Sequence, residues 1–461
     1  MKGSSLLCSS LFGAAVGAAS QSCLEEATDI TLTYGYPLMP FVTFAVPAIE
    51  VAKGANRFEH YRELATADFH DVVRANVDTL YSVSILDWTH HDLIVNVPVV
   101  KDRYWVFPFY DAYANNYVNI GSVNNSTVGK YVVRFDPSGK RQPGLQLCSQ
   151  SRNEKKLRGE CYGVDGYINS PTAYGILLPR YALINGIPED LQQIHDLQNK
   201  SGIHTIEAGQ RSKHPRAPLT ISMLNSSISS NPATRIRQLT ARISPNSPPR
   251  NVSDSARVNR IIREKHGQRS NPATKPAEPR HDWDQLTFQA QGDYGTNYLM
   301  RQFVAYRGYL GLTQSEALYP SYIGGDSGQT LNIGPKEAYI FKFPSKPPLA
   351  QYGFWSLTAC NAEQFLVSNA LNRYALSDRS NITYTDGSRV YGGDAHADDS
   401  FELLVQPADL APPNNWTSNW LPAPKGGGAF SLTLRFYAPS DALRQGEWSY
   451  PVVRKQAAIV A

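Results

Sequence analysis

Polar residues interrupt an otherwise apolar stretch, DVVRANVDTLYSVSILDW, between Asp71 and Trp88. Apolar runs flank them, Val72-Val73 before and Val83 to Leu86 after. A buried strand is normally apolar throughout or alternates, so polar groups at its centre must bond to one another, to backbone or to a ligand. The pattern therefore predicts a buried strand that carries a candidate binding site. Its polar members are Arg74, Asn76, Asp78, Thr79 and Tyr81.

Short apolar runs separated by turn residues follow Trp88 and are typical of strands. This spacing predicts an antiparallel sandwich or a barrel-like sheet. The runs begin at Leu93, Tyr104, Val118, Tyr131 and Tyr174. A second polar cluster lies among them, and we expect it to line one cleft with Asn76 and Asp78. Its members are Tyr110, Asp111, Tyr113, Asn115 and Asn116.

Three segments have helical features. Prolines in the segment from Thr31 to Glu50 predict a short helix or an extended packing segment. Pro188, followed by two acidic residues, is typical of a helix start. An apolar stripe at helical spacing predicts an amphipathic helix that packs on a sheet. Arg301 and Arg307 lie off this stripe, where we expect solvated charge, with anion or carbonyl binding as the alternative. The stripe consists of Leu299, Phe303, Tyr306 and Leu310.

The segment from Gln210 to Arg280 differs in composition, being rich in Ser, Pro, Asn and Arg. We expect a surface excursion with short helices, for instance Ser253 to Lys265, and a domain boundary in or near it. From Ala338 onward strand patterns return and predict a second all-β unit. Its tryptophans predict a stable core. They are Trp355, Trp416, Trp420 and Trp448.

Length and composition narrow the classes of protein. A chain of 461 residues with 42% hydrophobic and 18% charged residues predicts two or three globular domains. A net charge of +4 over this length predicts no nucleic-acid or acidic-membrane partner. The 26 tyrosines, with many glycines and prolines, favour strands, turns and aromatic-lined clefts.

The N-terminus has the features of an export signal. Lys2 precedes a short apolar run from Leu6 to Ala19, and small residues near Gln21 suit cleavage, which gives a signal peptide over 1–20. A membrane-spanning start competes, but these 14 residues are fewer than the about 20 that cross a bilayer. We predict no membrane anchor and a location in the secretory pathway, either secreted or vacuolar.

Sequons and cysteines agree with export. Cys148 and Cys161 form the likeliest disulfide, Cys23 and Cys360 would form the other, and free buried thiols are the alternative. Seven Asn-x-Ser/Thr sequons are candidate glycosylation sites in a glycosylating lumen. They lie at Asn124, Asn125, Asn199, Asn225, Asn251, Asn381 and Asn415.

Familiar catalytic signatures are mostly missing. Gly325 to Gly328, GDSG, resembles the nucleophile turn of trypsin-like proteases but lacks a matching histidine segment, and no G-x-S-x-G motif is present. There is no H-E-x-x-H and no C-x-x-C, and adjacent His90 and His91 would point to opposite faces of a strand. The glycines at 426–428 do not form a dinucleotide fingerprint. We therefore predict neither a metal nor a cofactor.

Longer motifs resemble a known family. VVRANVDTLYS and YDAYANNYVNIGS resemble the DUF1254 family, and FWSLTA, NALNRYALSDRSNITYTDGS, NWLPAP and FSLTLRFYAP resemble its companion DUF1214. The likeness runs from Tyr34 to Val453, and LTARISPNSPP resembles secreted fungal members. Ala75 stands where proline is usual and Cys360 where an aromatic residue is usual.

The resemblance implies a mainly β (α+β) fold. It consists of a β-rich N-terminal domain with helical additions and a C-terminal jelly-roll-like β-sandwich. We expect the DUF1254-like domain over 21–209, an irregular connecting segment over 210–290, and the DUF1214-like domain, with one helix, over 291–461. The family supplies no assigned reaction, although some fungal members resemble accessory proteins of secondary-metabolite pathways.

Two function hypotheses follow. The first is a cofactor-free catalyst acting on a small organic molecule, through a cyclisation or a (hetero-)Diels-Alder type cycloaddition, with Asp78, Tyr110 and Arg373 as candidate catalytic residues. The alternative is a glycan-binding protein or a glycoside hydrolase, for which Asp78 and Asp111 should face each other. A non-catalytic structural protein and a homo-oligomer stay open. Candidate substrate-binding residues are Asn76, Tyr81, Asp111, Asn115, Asn372 and Tyr374, with Asp378 beside them.

Overall fold

The computed structural model describes residues 33–460 with several gaps. The gaps are 71–72, 125, 127, 149–160, 162, 208–218, 226–234, 237, 240–273, 277–281, 287–290, 325–329, 394–395 and 397. The predicted signal peptide, Cys23, the GDSG motif, the helix expected from Ser253 to Lys265, and the sequons at Asn125 and Asn251 therefore lie outside the described residues.

The N-terminal half contains two packed β-sheets. In the described part of the chain, one six-stranded sheet has the order β1-β2-β10-β4-β5, with β9 pairing β2 and β4, and a five-stranded sheet has the order β11-β3-β6-β8-β7. Most pairs are antiparallel, as predicted, but β6 and β8 are parallel. The strands are β1 Glu59–His60, β2 Thr79–Asp87, β3 His91–Val97, β4 Trp105–Asp111, β5 Asn116–Gly121, β6 Gly129–Phe135, β7 Gly144–Leu147, β8 Gly166–Ser170, β9 Tyr174–Leu177, β10 Arg180–Ala182 and β11 Gly202–Glu207.

Alternation along each strand builds the core between the two sheets. Phe107 and Phe109 on β4 pack with Leu93 on β3 and Val133 on β6 in one cluster of buried side chains. The opposite face of the six-stranded sheet, for example Ile176, packs against helix α1. The sheet is therefore apolar on both faces, which explains its nearly continuous apolar strands.

Helix α1, Leu38–Ala52, is longer than the prolines suggested. Pro40 lies in the first turn, where backbone N–H groups have no helical partner, and only Pro47 lies inside the helix. Phe41 and Ile49 on its buried face pack against the six-stranded sheet. With its preceding turn, the segment Thr33–Ala52 is long and apolar enough, by length and composition, to cross a membrane.

Two other helical predictions had different outcomes. Helix α2, Pro188–Lys200, begins at Pro188 as predicted. A third, short helix, α3, covers Ile221–Asn225.

Helix α4, Tyr298–Arg307, is present, but Tyr306 is exposed and Arg301 is buried, so the predicted apolar stripe is wrong. Arg301 is buried because it donates to the Tyr34 carbonyl and lies over the ring of Tyr113.

The C-terminal half is a β-sandwich, as predicted. Among the described residues, a five-stranded sheet has the order β14-β22-β18-β19, with β16 on β22, and a four-stranded sheet has the order β21-β20-β17-β23. A separate small sheet joins β12, β13 and β15. The strands are β12 Thr274–Pro276, β13 Trp283–Leu286, β14 Ala317–Leu318, β15 Ser321–Tyr322, β16 Leu331–Ile333, β17 Glu337–Phe343, β18 Leu349–Asn361, β19 Ala375–Ser377, β20 Phe401–Pro407, β21 Trp420–Ala423, β22 Gly428–Pro439 and β23 Val452–Ala457.

Aromatic side chains from both sheets fill the sandwich. Phe343 on β17 stacks on Phe401 of β20, with ring centroids 4.7 Å apart, and lies 5.0 Å from Trp355 of β18. Trp448, which follows the short helix α6 (Asp441–Gln445), closes one end of this core. Another short helix, α5 (Asn414–Thr417), precedes β21.

The cysteine predictions are confirmed in one case. Cys148 and Cys161 form a disulfide with Cα atoms 5.7 Å apart. Cys360 is a buried free thiol, and Cys23, its expected partner, lies outside the described residues.

Replacing Gly175 should test how tightly the N-terminal sheets are packed. A Cβ at this position would lie 2.5 Å from the Tyr110 carbonyl oxygen and 3.0 Å from the Trp88 ring, and neither group can move easily. We expect Gly175→Ala to destabilise the protein by about 1–3 kcal/mol or more, measured as a lower thermal unfolding midpoint. Gly308→Ala is the control, because a Cβ there meets nothing within 4 Å. Equal midpoints for the two variants would contradict this packing.

Candidate functional site

The polar residues of the central stretch form a strap that lies before strand β2. The sequence pattern placed Arg74, Asn76 and Asp78 inside a strand, but β2 begins only at Thr79. The Arg74 N–H donates to the Gln364 carbonyl at 2.8 Å. Residues 73–78 therefore cross from the N-terminal domain onto the C-terminal sandwich. We call this segment the interdomain strap.

The strap meets a polar sheet face. Side chains alternate between the two faces of a strand, so alternate residues of β18 and β22 point away from the sandwich core. On this outer face, Ser356 pairs across the strands with Arg435, and Thr358 pairs with Thr433. Ser356, Thr358 and Arg435 are buried. Buried polar groups require partners. The N-terminal domain supplies partners for Ser356 and Arg435, whereas Thr358 bonds within the C-terminal domain.

Asp78 makes the main ionic contact between the domains. Arg379 donates to Asp78 Oδ1, and the Ser356 hydroxyl donates to Asp78 Oδ2 at 2.5 Å. Arg379 also donates to the Asp78 and Leu183 carbonyls, at 3.3 and 3.2 Å. Both Asp78 oxygens thus have partners inside the protein, so Asp78 has a structural role. Because neither oxygen is free to exchange a proton with a substrate, Asp78 is unsuited to general acid–base catalysis.

Asp378 lies on the other side of the same arginine. Its Oδ1 is 3.8 Å from Arg379 Nε and accepts from the Trp355 N–H at 3.2 Å. Burial raises the pKa of Asp378 to about 6, although the Arg379 charge acts against this rise. Asp378 therefore binds a proton more readily than an exposed carboxyl.

A buried arginine lies at the centre of the second interdomain contact. Arg180, on strand β10, is 5% exposed, and its Nη2 donates to the Tyr110 hydroxyl and the Leu310 carbonyl, each at 3.3 Å. Its guanidinium lies 5.2 Å from the centre of the Tyr81 ring. Among the described residues, no group accepts a hydrogen bond from Arg180 Nε. This buried N–H group is therefore an unused donor.

Tyrosines from both domains surround this arginine. The Tyr437 ring, on β22, lies 5.5 Å from the Tyr104 ring and 6.4 Å from the Tyr319 ring. Asn76 of the strap donates to the Tyr437 hydroxyl at 2.6 Å. Burial raises the pKa of Tyr319. Two arginines oppose this rise: Arg180 through its charge and a hydrogen bond, and Arg435 through its charge. We call this group the tyrosine chamber: Tyr81, Tyr104, Tyr110, Tyr319 and Tyr437, with Arg180 and Arg435.

Arg435 is the second buried cation of the chamber. It is 5% exposed and donates to the Thr358 hydroxyl at 2.7 Å and to the Arg74 carbonyl at 2.9 Å. Within the part of the chain that is described, neither Arg435 nor Arg180 has a carboxylate oxygen within 4.0 Å. Tyr81, Asn76 and Tyr319 are partly exposed and form the solvent-facing edge of this group.

Glu316 is the carboxyl nearest to this group. It accepts from the Tyr104 hydroxyl at 3.0 Å through Oε2 and from Asn124 Nδ2 at 2.9 Å through Oε1. Burial raises the pKa of Glu316 to about 7, while its hydrogen bond with Tyr104 and the charge of Arg180 act against the rise. A carboxyl with this pKa can give or take a proton near neutral pH.

Several predicted site residues instead have internal roles. Asp111 closes a tight turn, because its Oδ1 accepts from the Tyr113 and Asn115 N–H groups and its Oδ2 from the Asn115 amide at 2.7 Å. Asp78 and Asp111 each bond within their own network of hydrogen bonds, and the glycoside-hydrolase alternative stays a prediction. Tyr110 donates to the Leu310 carbonyl at 3.0 Å and lies at the floor of the chamber.

The three C-terminal candidates lie outside the chamber. Arg373 donates to the carbonyls of Thr417 and Trp420, which fixes the turn before β21. Asn372 is exposed, and Tyr374 packs beside Val77 of the strap. The prediction that Arg373 is catalytic therefore has no support in the geometry, since its donors serve backbone carbonyls.

The sequons that the structure describes are exposed. Asn124 is the exception in one respect, because its amide nitrogen is engaged by the buried Glu316. Glycosylation stays a prediction at all of them. The described sequon asparagines are Asn124, Asn199, Asn225, Asn381 and Asn415.

No group of three or more His, Cys, Asp and Glu residues suited to a metal ion occurs among the described residues.

The residues that define the chamber were not predicted from the sequence. Arg180 was read only as the end of a strand, and Glu316, Arg379 and Arg435 were not singled out. The signal for Arg435 was a charge within the apolar run FSLTLRFYAP, since an arginine inside a strand pattern must face a partner.

Two family models match the chain. One, described as a protein of unknown function (DUF1254), covers residues 55–205, and another, described as a protein of unknown function (DUF1214), covers residues 316–441. Arg180 falls within the first match, and Glu316 and Arg435 fall within the second. The chamber is therefore built where the two family domains meet. No curated protein matches the chain.

Two solved structures are similar to this chain. The VPA0106 protein from Vibrio parahaemolyticus is 18% identical, with a TM-score of 0.60 over 94% of this chain and 99% of that one. An uncharacterised protein from Burkholderia cenocepacia is 13% identical, with a TM-score of 0.45 over 95% of this chain and 96% of that one. The first likeness supports the two-domain β-rich fold over nearly the whole chain.

Removing the interdomain ion pair should loosen the contact between the domains. In Asp78→Asn, the partly buried Arg379 keeps only the Asp378 carboxylate, 3.8 Å away, as an ionic partner, so we expect a destabilisation of about 1–3 kcal/mol. The loss is measured by urea unfolding. Asp441→Asn is the control, because its pair with Arg444 is exposed and should contribute about 0–1 kcal/mol. An Asp78→Asn protein as stable as this control would contradict the assignment.

Glu316 should make stability depend on pH in a defined direction. Its folded-state pKa, about 7, lies above the ordinary 4.5, so the folded protein holds the proton more tightly than the unfolded chain. This contribution favours the folded state at low pH and is lost as the pH rises from 4.5 through 7. Between pH 5 and 8, the wild type should lose roughly 3 kcal/mol relative to Glu316→Gln.

The measurement is urea unfolding of both proteins across that pH range. Glu363→Gln, at an exposed carboxyl, is the matched control and should keep the wild-type slope. If Glu316→Gln also keeps this slope, the raised pKa of Glu316 is wrong.

Proposed function

The chain belongs to the DUF1254/DUF1214 family of proteins of unknown function, so its family supplies no chemistry, and we propose a function from the geometry of the tyrosine chamber. In this proposal, the chamber binds a small organic molecule and catalyses a ring-forming step, such as a cyclisation or a cycloaddition, using the protein's own side chains. Clefts between domains are frequent ligand sites, which supports this location.

The observation that carries the proposal is the unused donor of Arg180. A buried polar group without a partner is costly, roughly 1–3 kcal/mol, and such groups persist where a ligand or a reaction uses them. Arg180 Nε lacks a partner although tyrosine hydroxyls and a backbone carbonyl surround the side chain. A carbonyl oxygen of a bound molecule would satisfy this donor.

The same contacts explain how a ring-forming step is accelerated. Arg180 would donate to a carbonyl oxygen and stabilise negative charge that develops there in the transition state. The tyrosine rings would confine the molecule in one conformation, which lowers the entropic cost of closing a ring. Glu316, held by Tyr104, has a pKa suited to moving a proton at neutral pH where the step requires one.

A mass-neutral reaction gives a direct assay. Intramolecular ring closure produces an isomer, so the product has the mass of the substrate but a different retention time. We expect the purified protein to accelerate such isomerisation for members of a panel of linear enones and 1,3-dicarbonyl compounds. Arg180→Gln should lower kcat/KM by about 100-fold, because one oxyanion donor is lost.

Arg454→Gln is the matched control. Arg454 is largely exposed on the edge strand β23 and pairs with Glu402 at 3.1 Å. It makes none of the chamber contacts described above. Its variant should retain wild-type rates. Equal rates for wild-type and Arg180→Gln proteins, with both folded, would refute the proposed role of the chamber.

A further inference from the structure

We propose that the tyrosine chamber selects an anionic ligand: a small organic molecule carrying a carboxylate or an enolate beside an aromatic or unsaturated ring. This inference rests on the proposed function for its location and deepens it by naming the substrate class. Arg180 of the N-terminal domain donates to the Tyr110 hydroxyl, and Arg435 of the C-terminal domain lies on the same face of β22 as Tyr437, two residues away.

The two cations lie near the same hydroxyl groups. Arg180 hydrogen-bonds the Tyr110 hydroxyl at 3.3 Å and also acts on Tyr319 by hydrogen bonding and charge. Arg435 acts by charge on Tyr319 and on Tyr437. The Tyr319 ring lies 6.4 Å from the Tyr437 ring, and Tyr437 shares its face of β22 with Arg435, so a ligand beside Tyr319 would experience both positive charges.

The remaining charges near the chamber do not neutralise this pair. Asp78 is already bound to Arg379 and Ser356. Glu316 has a pKa of about 7, so it carries only part of a negative charge at neutral pH. Two full positive charges therefore face at most one partial negative charge, and an anion would restore the balance. An anion adds Coulomb attraction to both guanidinium charges that a neutral carbonyl lacks, which favours an anion over a neutral carbonyl.

The surrounding side chains favour a ring-bearing molecule. Phe354 and Tyr437 stack with ring centroids 4.3 Å apart, and Tyr104 lies against both. Tyr81 and Tyr319 form the partly exposed side of the chamber. Aromatic rings prefer offset or edge-to-face contact with other rings, so this lining suits a planar unsaturated ligand.

Binding of two matched probes to the full chain tests the inference. Benzoate and benzamide have similar size and shape, but only benzoate is charged at pH 7. By isothermal titration calorimetry, we expect benzoate to bind at least about tenfold more tightly than benzamide. Arg180→Gln and Arg435→Gln should each lower benzoate affinity by about tenfold or more, whereas Arg454→Gln should leave it unchanged.

Arg435→Lys guards against loss of folding, because it keeps the charge, and it should retain a larger share of benzoate affinity than Arg435→Gln. Two results would overturn the inference: benzamide binding as tightly as benzoate, or benzoate failing to bind at its solubility limit. Benzoate binding without isomerase activity would support the anion site and refute the catalytic proposal. Isomerisation of neutral compounds without benzoate binding would do the reverse.

Discussion

The polar outer face of the sheet formed by β18 and β22 is the constraint on which the arrangement of the two domains depends. Ser356, Thr358 and Arg435 project from a strand pair whose other face is fully apolar. These groups cannot be buried against apolar surface without a large loss of hydrogen bonding. In the interdomain strap, the Asp78 carboxylate accepts from Ser356, the Arg74 carbonyl accepts from Arg435, and the Asn76 amide donates to the neighbouring Tyr437 hydroxyl. The two domains therefore meet through specific polar bonds, and their relative position is set by those bonds.

This constraint also places the tyrosine chamber. Asn76 on the strap bonds the Tyr437 hydroxyl, and Asp78, two residues later, bonds Ser356. With these contacts made, strand β2 follows directly, and its residue Tyr81 lies against Arg180. The strap thus contacts Tyr437 and Arg435 of one domain and leads directly to Tyr81, which lies against Arg180 of the other. A structural contact and a candidate binding site are consequences of the same few residues.

Much of the fold could be predicted because strands and helices repeat at short range. The alternating runs from Leu93, Tyr104 and Tyr131 form strands. Helix α2 begins at Pro188 as predicted, because proline and the two acidic residues after it suit the first turn of a helix. The disulfide between Cys148 and Cys161 also agreed with the spacing. The family motifs extended this to the order of the two domains, because long motifs specify the fold even where their chemistry is unknown.

The site was harder to predict because its residues come together only through long-range contacts. Asn76 and Tyr437, which share a hydrogen bond, are 361 positions apart. The sequence showed that polar groups near Asp78 needed partners, but it could not show that the partner was Arg379. The carboxylate at Asp111 looked similar in sequence, yet it closes its own turn. Local patterns reveal that a polar residue is buried, while tertiary packing decides whether it binds backbone, side chain or ligand.

Burial of an arginine alone does not define a binding site, as Arg301 demonstrates in this same chain. Arg301 is buried, and no carboxylate oxygen of the described residues lies within 4.0 Å of its guanidinium nitrogens. Three tyrosine rings surround it at 4.4 to 4.9 Å, and the Tyr34 carbonyl accepts from it. That arrangement fixes the N-terminal segment against helix α4. The tyrosine chamber differs because two arginines from different domains face hydroxyl groups at an interface with partly exposed walls. Arg435 bonds the Arg74 carbonyl of the strap and also brings a second positive charge to this interface, and an anionic ligand would balance the two charges.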